Sequence, residues 1–479
     1  MAVVRLILPQ GGAEGWHADL LARLRLDGRR AFVAWGAPPR RSLGLALALA
    51  LEGVLYGRED APAAAFETSF DSADFTFDLT GAGEPPPGAY APSYDGDFSD
   101  GARDLALLSG RAPDLALARA GEPPALRARP AVERDDRLLE GRKAVAAALR
   151  DMIVKLVGAG ALGVPAPVPE TSSPRAPLAF AAAGLAAAVT RKIKRLAARE
   201  ANWRIGWRGL RGGPPSLEAL AWPKHAAWQW LPDDADGYFA DPFAFTHQGR
   251  EAVFCEEFPY RTGRGVISVF TLDEDGRASK PRIVLERPHH LSYPFVFAWE
   301  GAVWMLPESS GAGVLELFRC EAFPDRWALE GAVVSGRCLA DATPFAFNGG
   351  WVLMAASNAP GESTWDTLSI FRAPSPLGPW VEDPGGPVLI DSSSARPAGA
   401  VQMIGGALWR PAQDCRAGYG AGLALCRIDS LEPGRFAQSV AARLTPPQGS
   451  ACRGVHTLNV GGGREFIDAL GPWPEEVAP

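Results

Sequence analysis

The second half of the chain repeats itself. A short apolar strand, often begun x-P-F-x-F, is followed by a glycine turn and a second apolar strand that ends in polar residues. The clear copies are Asp241 to Glu257 (DPFAFTHQGREAVFCEE), Tyr293 to Glu308 (YPFVFAWEGAVWMLPE) and Thr343 to Asn358 (TPFAFNGGWVLMAASN). Weaker copies run from Arg396 to Asp414 and from His456 to Asp468. A spacing of roughly 50 residues is that of a propeller blade of four strands, and five copies predict a five-bladed β-propeller. Runs between the cores, GVISVFTL, GVLELFRC, TLSIFRA and GLALCRI, supply a third strand to each blade.

Propeller geometry then places chemistry. Innermost strands line the axis, so residues that begin them and residues that end the next strands converge on one funnel. That gathers Asp241, Glu257, Ser292, Tyr293, Glu308, Asp341, Thr343, Asn358, Arg396, Gln413, Asp414, His456 and Asp468. Carboxylates, amides, Arg and His around one funnel suit a sugar, whose hydroxyl groups need donors and acceptors at several fixed positions. A single Asp or Glu at a blade edge more often accepts turn N–H groups. Asp241 differs because it begins the clearest copy. Glu308 ends an otherwise apolar strand, where a charge is costly unless it meets water, a partner or a ligand. Asp241, Glu308 and Asp341 are therefore the catalytic candidates, with Glu257, Tyr293, Asn358, Arg396, Gln413, Asp414 and His456 as binding candidates. Arg396 and the RPAQD run from Arg410 can anchor an anionic or polyhydroxyl ligand, the plain alternative being an ion pair between blades. His456 either meets the ligand or closes the channel. His289 and His290 lack a third ligand at metal spacing, so no metal is assigned.

A change in composition near residue 200 marks the main boundary. Before it the chain is rich in Ala, Leu and Arg and has no cysteine. After it lie all six cysteines and every tryptophan except Trp16 and Trp35. The division expected is an α/β domain over 1–130, a helical and Pro-rich linker over 131–200, and the propeller over 201–479. VVRLILP, the amphipathic run Trp16 to Leu24 and RAFVAWG read as strand, helix and strand, a βαβ beginning, with a further strand at Phe75 to Leu79. This is a Rossmann-like pattern, yet no GxGxxG or GxxxxGK[ST] follows any strand. GGAEG at Gly11 to Gly15 is a glycine loop that reads as a plain turn before it reads as a phosphate site. Phe180 to Glu200 sets Arg191, Lys192, Lys194, Arg195 and Arg199 beside an Ala-rich stripe. Such a helix can lie on anionic lipid, or pack on a neighbouring domain with its basic face in water.

At 47% hydrophobic and 22% charged residues the chain is folded rather than disordered. A net charge of −7 supplies no general attraction for nucleic acid. The cysteines form no CxxC pair and read as reduced, buried thiols. The first residues lack the features of a secretory signal, and no apolar run reaches the roughly 20 residues that span a bilayer. A cytoplasmic location is expected, with peripheral membrane contact through 180–200.

DPFAF, HLSYPFVF, LPES, RPAG, RPAQD and GVHTLNV give residues 238 to 470 a family likeness. The segment resembles the propeller at the N-terminus of plant glucosamine inositolphosphorylceramide transferases and of their bacterial relatives. More distantly it is similar to the five-bladed glycosidases of the arabinanase and β-xylosidase group. YDGDFSDGARDLALLSGRAP after FDLTG resembles a decayed formyltransferase-type domain. The resemblance implies a base Asp in the first blade, matched by Asp241, and a second Asp in the third, matched by Asp341. Where those glycosidases carry an acid Glu in the fourth blade, this chain has Arg396 and Gln413. In the plant enzymes the transferase domain lies outside the propeller. Three functions follow as expectations: an enzyme of glycan or glycolipid assembly doing glycosyl transfer, a propeller glycoside hydrolase, or a non-catalytic glycan-binding module that recruits a partner enzyme. No resident cofactor is expected, and a nucleotide sugar is the donor that transfer would take.

Overall fold

The computed structural model describes residues 2–39, 41–57, 68, 72–165, 173–197, 202–223, 228–232, 234, 236–358, 362–448 and 451–471, with only the backbone for 191–197, 212 and 358. The chain divides into two units. One comprises Met1–Ala198 with Pro384–Asp391, the other Arg199–Asp383 with Ser392–Pro479.

The first unit is α/β. Its elements are β1 (Val3–Pro9), α1 (Gly15–Leu26), β2 (Arg30–Gly36), α2 (Leu43–Tyr56), β3 (Phe75–Asp78), β4 (Tyr90–Tyr94), α3 (Asp100–Leu108), β5 (Leu115–Arg119), β6 (Leu126–Ala128), α4 (Leu138–Val157) and α5 (Pro177–Ala197). The sheet order is β2-β1-β3-β4-β5-β6. Parallel pairing links β2, β1, β3 and β4, as a βαβ start predicts, but β5 and β6 join antiparallel and make the sheet mixed. Val4, Leu6 and Leu8 of β1 are buried against Leu20, Leu21 and Leu24 of α1 and Leu149, Met152 and Ile153 of α4. The same core takes in Ile390 from the distant segment. That segment is fastened by polar groups: the Arg129 N–H donates to the Ile390 carbonyl at 2.8 Å, Arg129 Nη1 meets Asp391 Oδ1 at 3.1 Å, and Lys155 Nζ donates to the Pro384 carbonyl at 3.0 Å. The glycine loop is a hydrogen-bonded turn, Gly12 N–H to the Pro9 carbonyl at 3.0 Å. Glu14 already places a carboxylate at the N-terminus of α1, the position a phosphate would need. The Pro-rich stretch falls largely outside the described residues, and so do the side chains of Arg191, Lys192, Lys194, Arg195 and Arg199.

The second unit is a five-bladed propeller. Four blades are built from consecutive strands, inner to outer. The first has inner strand Gly237–His247 and second strand Arg250–Pro259; the second has Ser292–Trp299 and Ala302–Glu308; the third has Cys338–Phe347 and Gly350–Asn358; the fourth has Gln402–Ile404 and Ala407–Asp414. The repeat copy at His456 to Asp468 marks the inner half of the fifth, and spacing does not reveal its outer half. Its inner strands Leu458–Gly461 and Arg464–Leu470 come from one end of the unit, and its outer strands Trp203–Gly209 and Gln229–Trp230 from the other. The ring is closed by pairing two chain segments more than two hundred residues apart, a contact no local pattern encodes.

An internal clasp holds that closure. Glu465 is wholly buried, and its Oε2 accepts from Arg208 Nε at 2.7 Å and Ser216 Oγ at 3.0 Å. Removing one partner of a buried pair leaves the other charge unsatisfied, at about 3–5 kcal/mol. Glu465→Ala is therefore expected to lower propeller stability by about 3 kcal/mol or more in urea denaturation, with Glu465→Gln intermediate.

Candidate functional site

Three blades share one backbone irregularity at the axis. In each, the pairing of inner and second strands slips after residues 240, 292 and 340, and the next residue adopts a left-handed conformation: Asp241 at φ 53°, Tyr293 at φ 43° and Asp341 at φ 52°. For side chains other than glycine this costs about 1–2 kcal/mol each. It also turns three peptide N–H groups away from the ladder, and each finds a carboxylate of the preceding blade. Asp241 N–H donates to Asp468 Oδ2 at 3.0 Å, Tyr293 N–H to Asp241 Oδ2 at 3.1 Å, and Asp341 N–H to Glu308 Oε2 at 3.2 Å. Charge-assisted bonds of this kind return about 1.5–3 kcal/mol apiece.

Around the first bulge sits an ion triad. His456 Nδ1 lies 2.8 Å from Asp468 Oδ1 and its Nε2 3.3 Å from Asp241 Oδ1, which also accepts from Thr457 Oγ1 at 2.8 Å. Burial alone would push the imidazole down, but Asp468 and Asp241 outweigh it and hold His456 well above its ordinary value. Burial pushes Asp241 up, and His456 with its hydrogen-bond donors brings it below the usual carboxylate range. The ligand atoms of Asp241, His456 and Asp468 lie within 4.8 Å of one another, close enough for a cation. While the imidazole keeps its proton between the two carboxylates the triad is neutralised from within, and a cation there would have to displace that proton.

Around the third bulge sits a second cluster. Asp341 Oδ2 accepts from Arg396 Nε at 2.6 Å and from Gln413 Nε2 at 2.9 Å, while Arg396 Nη2 approaches Glu308 Oε2 at 3.8 Å and Nη1 donates to Thr364 Oγ1 at 2.7 Å. Burial pushes Asp341 up to about 7, against the pull of Arg396 and with the repulsion of Glu308 and Asp241. Tyr293 connects the two clusters, its hydroxyl 3.0 Å from Thr343 Oγ1 and its ring edge-on to Phe243. The structure thus unites Asp241, Tyr293, Glu308, Asp341, Arg396, Gln413 and His456.

Other candidates lie elsewhere. Glu257 Oε2 takes the Ser268 hydroxyl within the first blade. Asp414 pairs with Arg416 Nη2 at 2.6 Å and Arg443 Nη1 at 3.0 Å. Arg410 donates to the carbonyls of Ser394 and Ala395, a structural use. The Asn358 side chain is outside the described residues.

Sequence reasoning missed the aromatic side of the site. Half-buried Trp203 lies 4.0 Å from the His456 ring, Tyr419 lies 5.3 Å from it, and Trp365 packs on Tyr419 at 5.7 Å. Arg396 lies over the Tyr419 ring at 5.1 Å. All three aromatics stand outside the repeat cores. All six cysteines are free, and among the described residues no helix is long and apolar enough to cross a membrane.

Comparison with known proteins bears on this site. Residues 232–451 match the family model for glucosamine inositolphosphorylceramide transferase 1, N-terminal. Glucosamine inositolphosphorylceramide transferase 1 of Oryza sativa subsp. japonica is 34% identical over 198 residues, which are 40% of this chain and 26% of that protein. The Arabidopsis thaliana protein of the same name is 32% identical over the same shares. This chain therefore spans about a quarter of the length of the curated relatives it matches. Among solved structures, the β-xylosidase/α-arabinofuranosidase CoXyl43 from a compost microbial metagenome aligns at TM-score 0.36 and 12% identity over 48% of this chain and 84% of its own. An exo-1,5-α-L-arabinanase from a bovine ruminal metagenomic library aligns at TM-score 0.36 and 12% identity, over 50% and 94%.

The triad makes a stability forecast. His456→Asn leaves Asp241 and Asp468 without their cation, and a loss of about 3–5 kcal/mol at pH 7 is expected in urea denaturation. A group whose native pKa is raised contributes stability that is complete below its unfolded value, here 6.5, and is lost as pH rises through the native value. Wild-type stability should therefore carry a component that falls with rising pH above 6.5, and that component should vanish in His456→Asn.

Proposed function

We propose that the propeller funnel binds a sugar or glycolipid headgroup and serves glycosyl transfer in glycan or glycolipid assembly. The observation that carries this is the placing of Trp203, Tyr419 and Trp365 beside His456, Arg396 and Asp341. A sugar ring is apolar on its faces and hydroxylated at its rim, and this site offers flat apolar surfaces next to charged hydrogen-bonding groups. The name of the plant relatives supports a glycolipid as the class of ligand. Asp341, whose carboxyl titrates near neutrality, is the general base for the acceptor hydroxyl, with Arg396 and Glu308 positioning the sugar. The acceptor oxygen bonds to the anomeric carbon of a nucleotide sugar, the nucleotide leaves with the bonding electrons, and Asp341 takes the hydroxyl proton. Asp241, already engaged by His456, Thr457 and the Tyr293 N–H, holds the blades in place. In the fourth blade Gln413 is a neutral side chain bonded to Asp341, which favours transfer over hydrolysis.

Membrane contact belongs to the same proposal. Helices α2 and α5 pack on each other and expose Leu43, Leu47, Leu51, Leu185 and Val189, an apolar surface suited to the lipid boundary, and α5 continues into the basic run from Arg191.

Two experiments test this reading. With nucleotide sugars and an inositolphosphoryl glycolipid, mass spectrometry is expected to find a donor-dependent mass gain whose rate rises with pH through about 7. Asp341→Asn should lower it at least a hundredfold, the usual worth of a general base being about 10²–10⁴. A donor-independent mass loss would mark a hydrolase instead, and binding without turnover a recruiting module. Sedimentation with anionic liposomes should be lost when Leu43, Leu47 and Leu51 are replaced by Glu.

A further inference from the structure

The repeat singles out one funnel side chain that no role above uses. Glu256 pairs with Ala240 across the first blade as Glu308 pairs with Ser292 across the second and Ala356 with Ala340 across the third. At this position Glu308 receives the bulge N–H of the following blade. The corresponding N–H for Glu256 would be that of Tyr293, which Asp241 takes instead. Glu256 is left over: it is 6% exposed, and its Oε1 has no hydrogen-bond partner. His290 Nε2 lies 3.3 Å from that oxygen without completing a hydrogen bond, while its Nδ1 accepts the Gly265 N–H at 2.9 Å. Only a glycine fits beside the carboxyl, since a Cβ at Gly265 would stand 2.7 Å from Oε1. A buried acceptor left unmatched costs about 1–3 kcal/mol unless something else meets it.

We propose that Glu256 is a ligand-contacting residue of the funnel, a carboxylic acid whose O–H donates a hydrogen bond to an oxygen of the bound sugar. This rests on the funnel being a sugar site and names a group within it. The surroundings keep the proton on. Burial pushes the Glu256 carboxyl well above its ordinary value; Asp241, Glu308 and Asp468 add repulsion that His456 offsets only in part. Its remaining titratable neighbours carry no charge at pH 7: burial lowers His290 and raises Tyr238 and Cys255. An ionised Glu256 could only accept hydrogen bonds, whereas the neutral acid presents a donor to a sugar oxygen.

The test uses the full chain and glucosaminyl-inositol as probe, by calorimetry across pH 6 to 9. Wild-type affinity is expected to fall at the alkaline end. Glu256→Gln, which keeps an N–H donor but cannot ionise, should bind within about twofold of wild type and without that fall. Glu256→Ala should bind about tenfold more weakly, one hydrogen bond's worth. The infrared difference between wild type and Glu256→Gln at pH 7 should show the carbonyl band of one protonated carboxyl, the contribution of Asp341 being common to both proteins and cancelling. Equal affinity and equal pH dependence across the three proteins, no probe binding by wild type, or no such band would overturn the proposal. Absence of product in the transfer assay, with these binding differences intact, would sink transfer chemistry and leave Glu256 as assigned.

Discussion

Three peptide N–H groups turned toward the propeller axis must be met where water is excluded, and much of the interior follows from that requirement. The left-handed residues Asp241, Tyr293 and Asp341 break the ladder of their own blades and are tied to carboxylates of the preceding ones. Each tie crosses from one blade to the next, so the bonds that relieve local strain also hold neighbouring sheets together. Acidic residues are needed here for architecture before any chemistry is considered. Their number then creates an electrostatic problem of its own.

Five carboxyl groups, Asp241, Glu256, Glu308, Asp341 and Asp468, share the funnel with two cations, Arg396 and His456. Charges cannot balance if all five ionise in a medium of low dielectric, so protons redistribute. His456 keeps one between Asp241 and Asp468, while Asp341 and Glu256 are the acids whose ionisation is postponed. At Asp341 burial and the repulsion of Glu308 and Asp241 outweigh the pull of Arg396, and at Glu256 burial and the repulsion of Asp241 outweigh that of His456. Acids whose ionisation is driven apart in this way are what a proton-transfer site requires, and structural ion networks produce them too.

Much of this was legible in the sequence because a blade is a local object. The three x-P-F-x-F cores and the two weaker copies after them gave the blade count, and the structure brings the flanking residues Asp241, Tyr293, Glu308 and Asp341 together. Register was not legible. The bulge displaces the pairing by one residue, so Glu256, not its neighbour Glu257, shares the position of Glu308, and adjacent residues of a strand face opposite sides. Nor could repeat reasoning find Trp203, Trp365 and Tyr419, which lie in connections or in the closing strand. The fifth blade was only half visible, since its outer strands precede the repeats. In the first unit the βαβ start was readable from periodicity, whereas the antiparallel edge of β5 and β6 depends on long-range pairing.

The embedding of Pro384–Asp391 in the first unit bears on the order in which the protein can be made. During synthesis the first two hundred residues emerge together, yet Ile390 and the groups that Arg129 and Lys155 grip follow much later. The propeller waits longer still, because Trp203–Gly209 has no sheet neighbour inward until Arg464–Leu470 is translated. Neither unit can reach its final form while the ribosome is still short of the fourth blade, so vectorial folding of one unit after the other is not open to this chain. A gene fragment ended at the compositional boundary would encode an unfinished core rather than an independent domain.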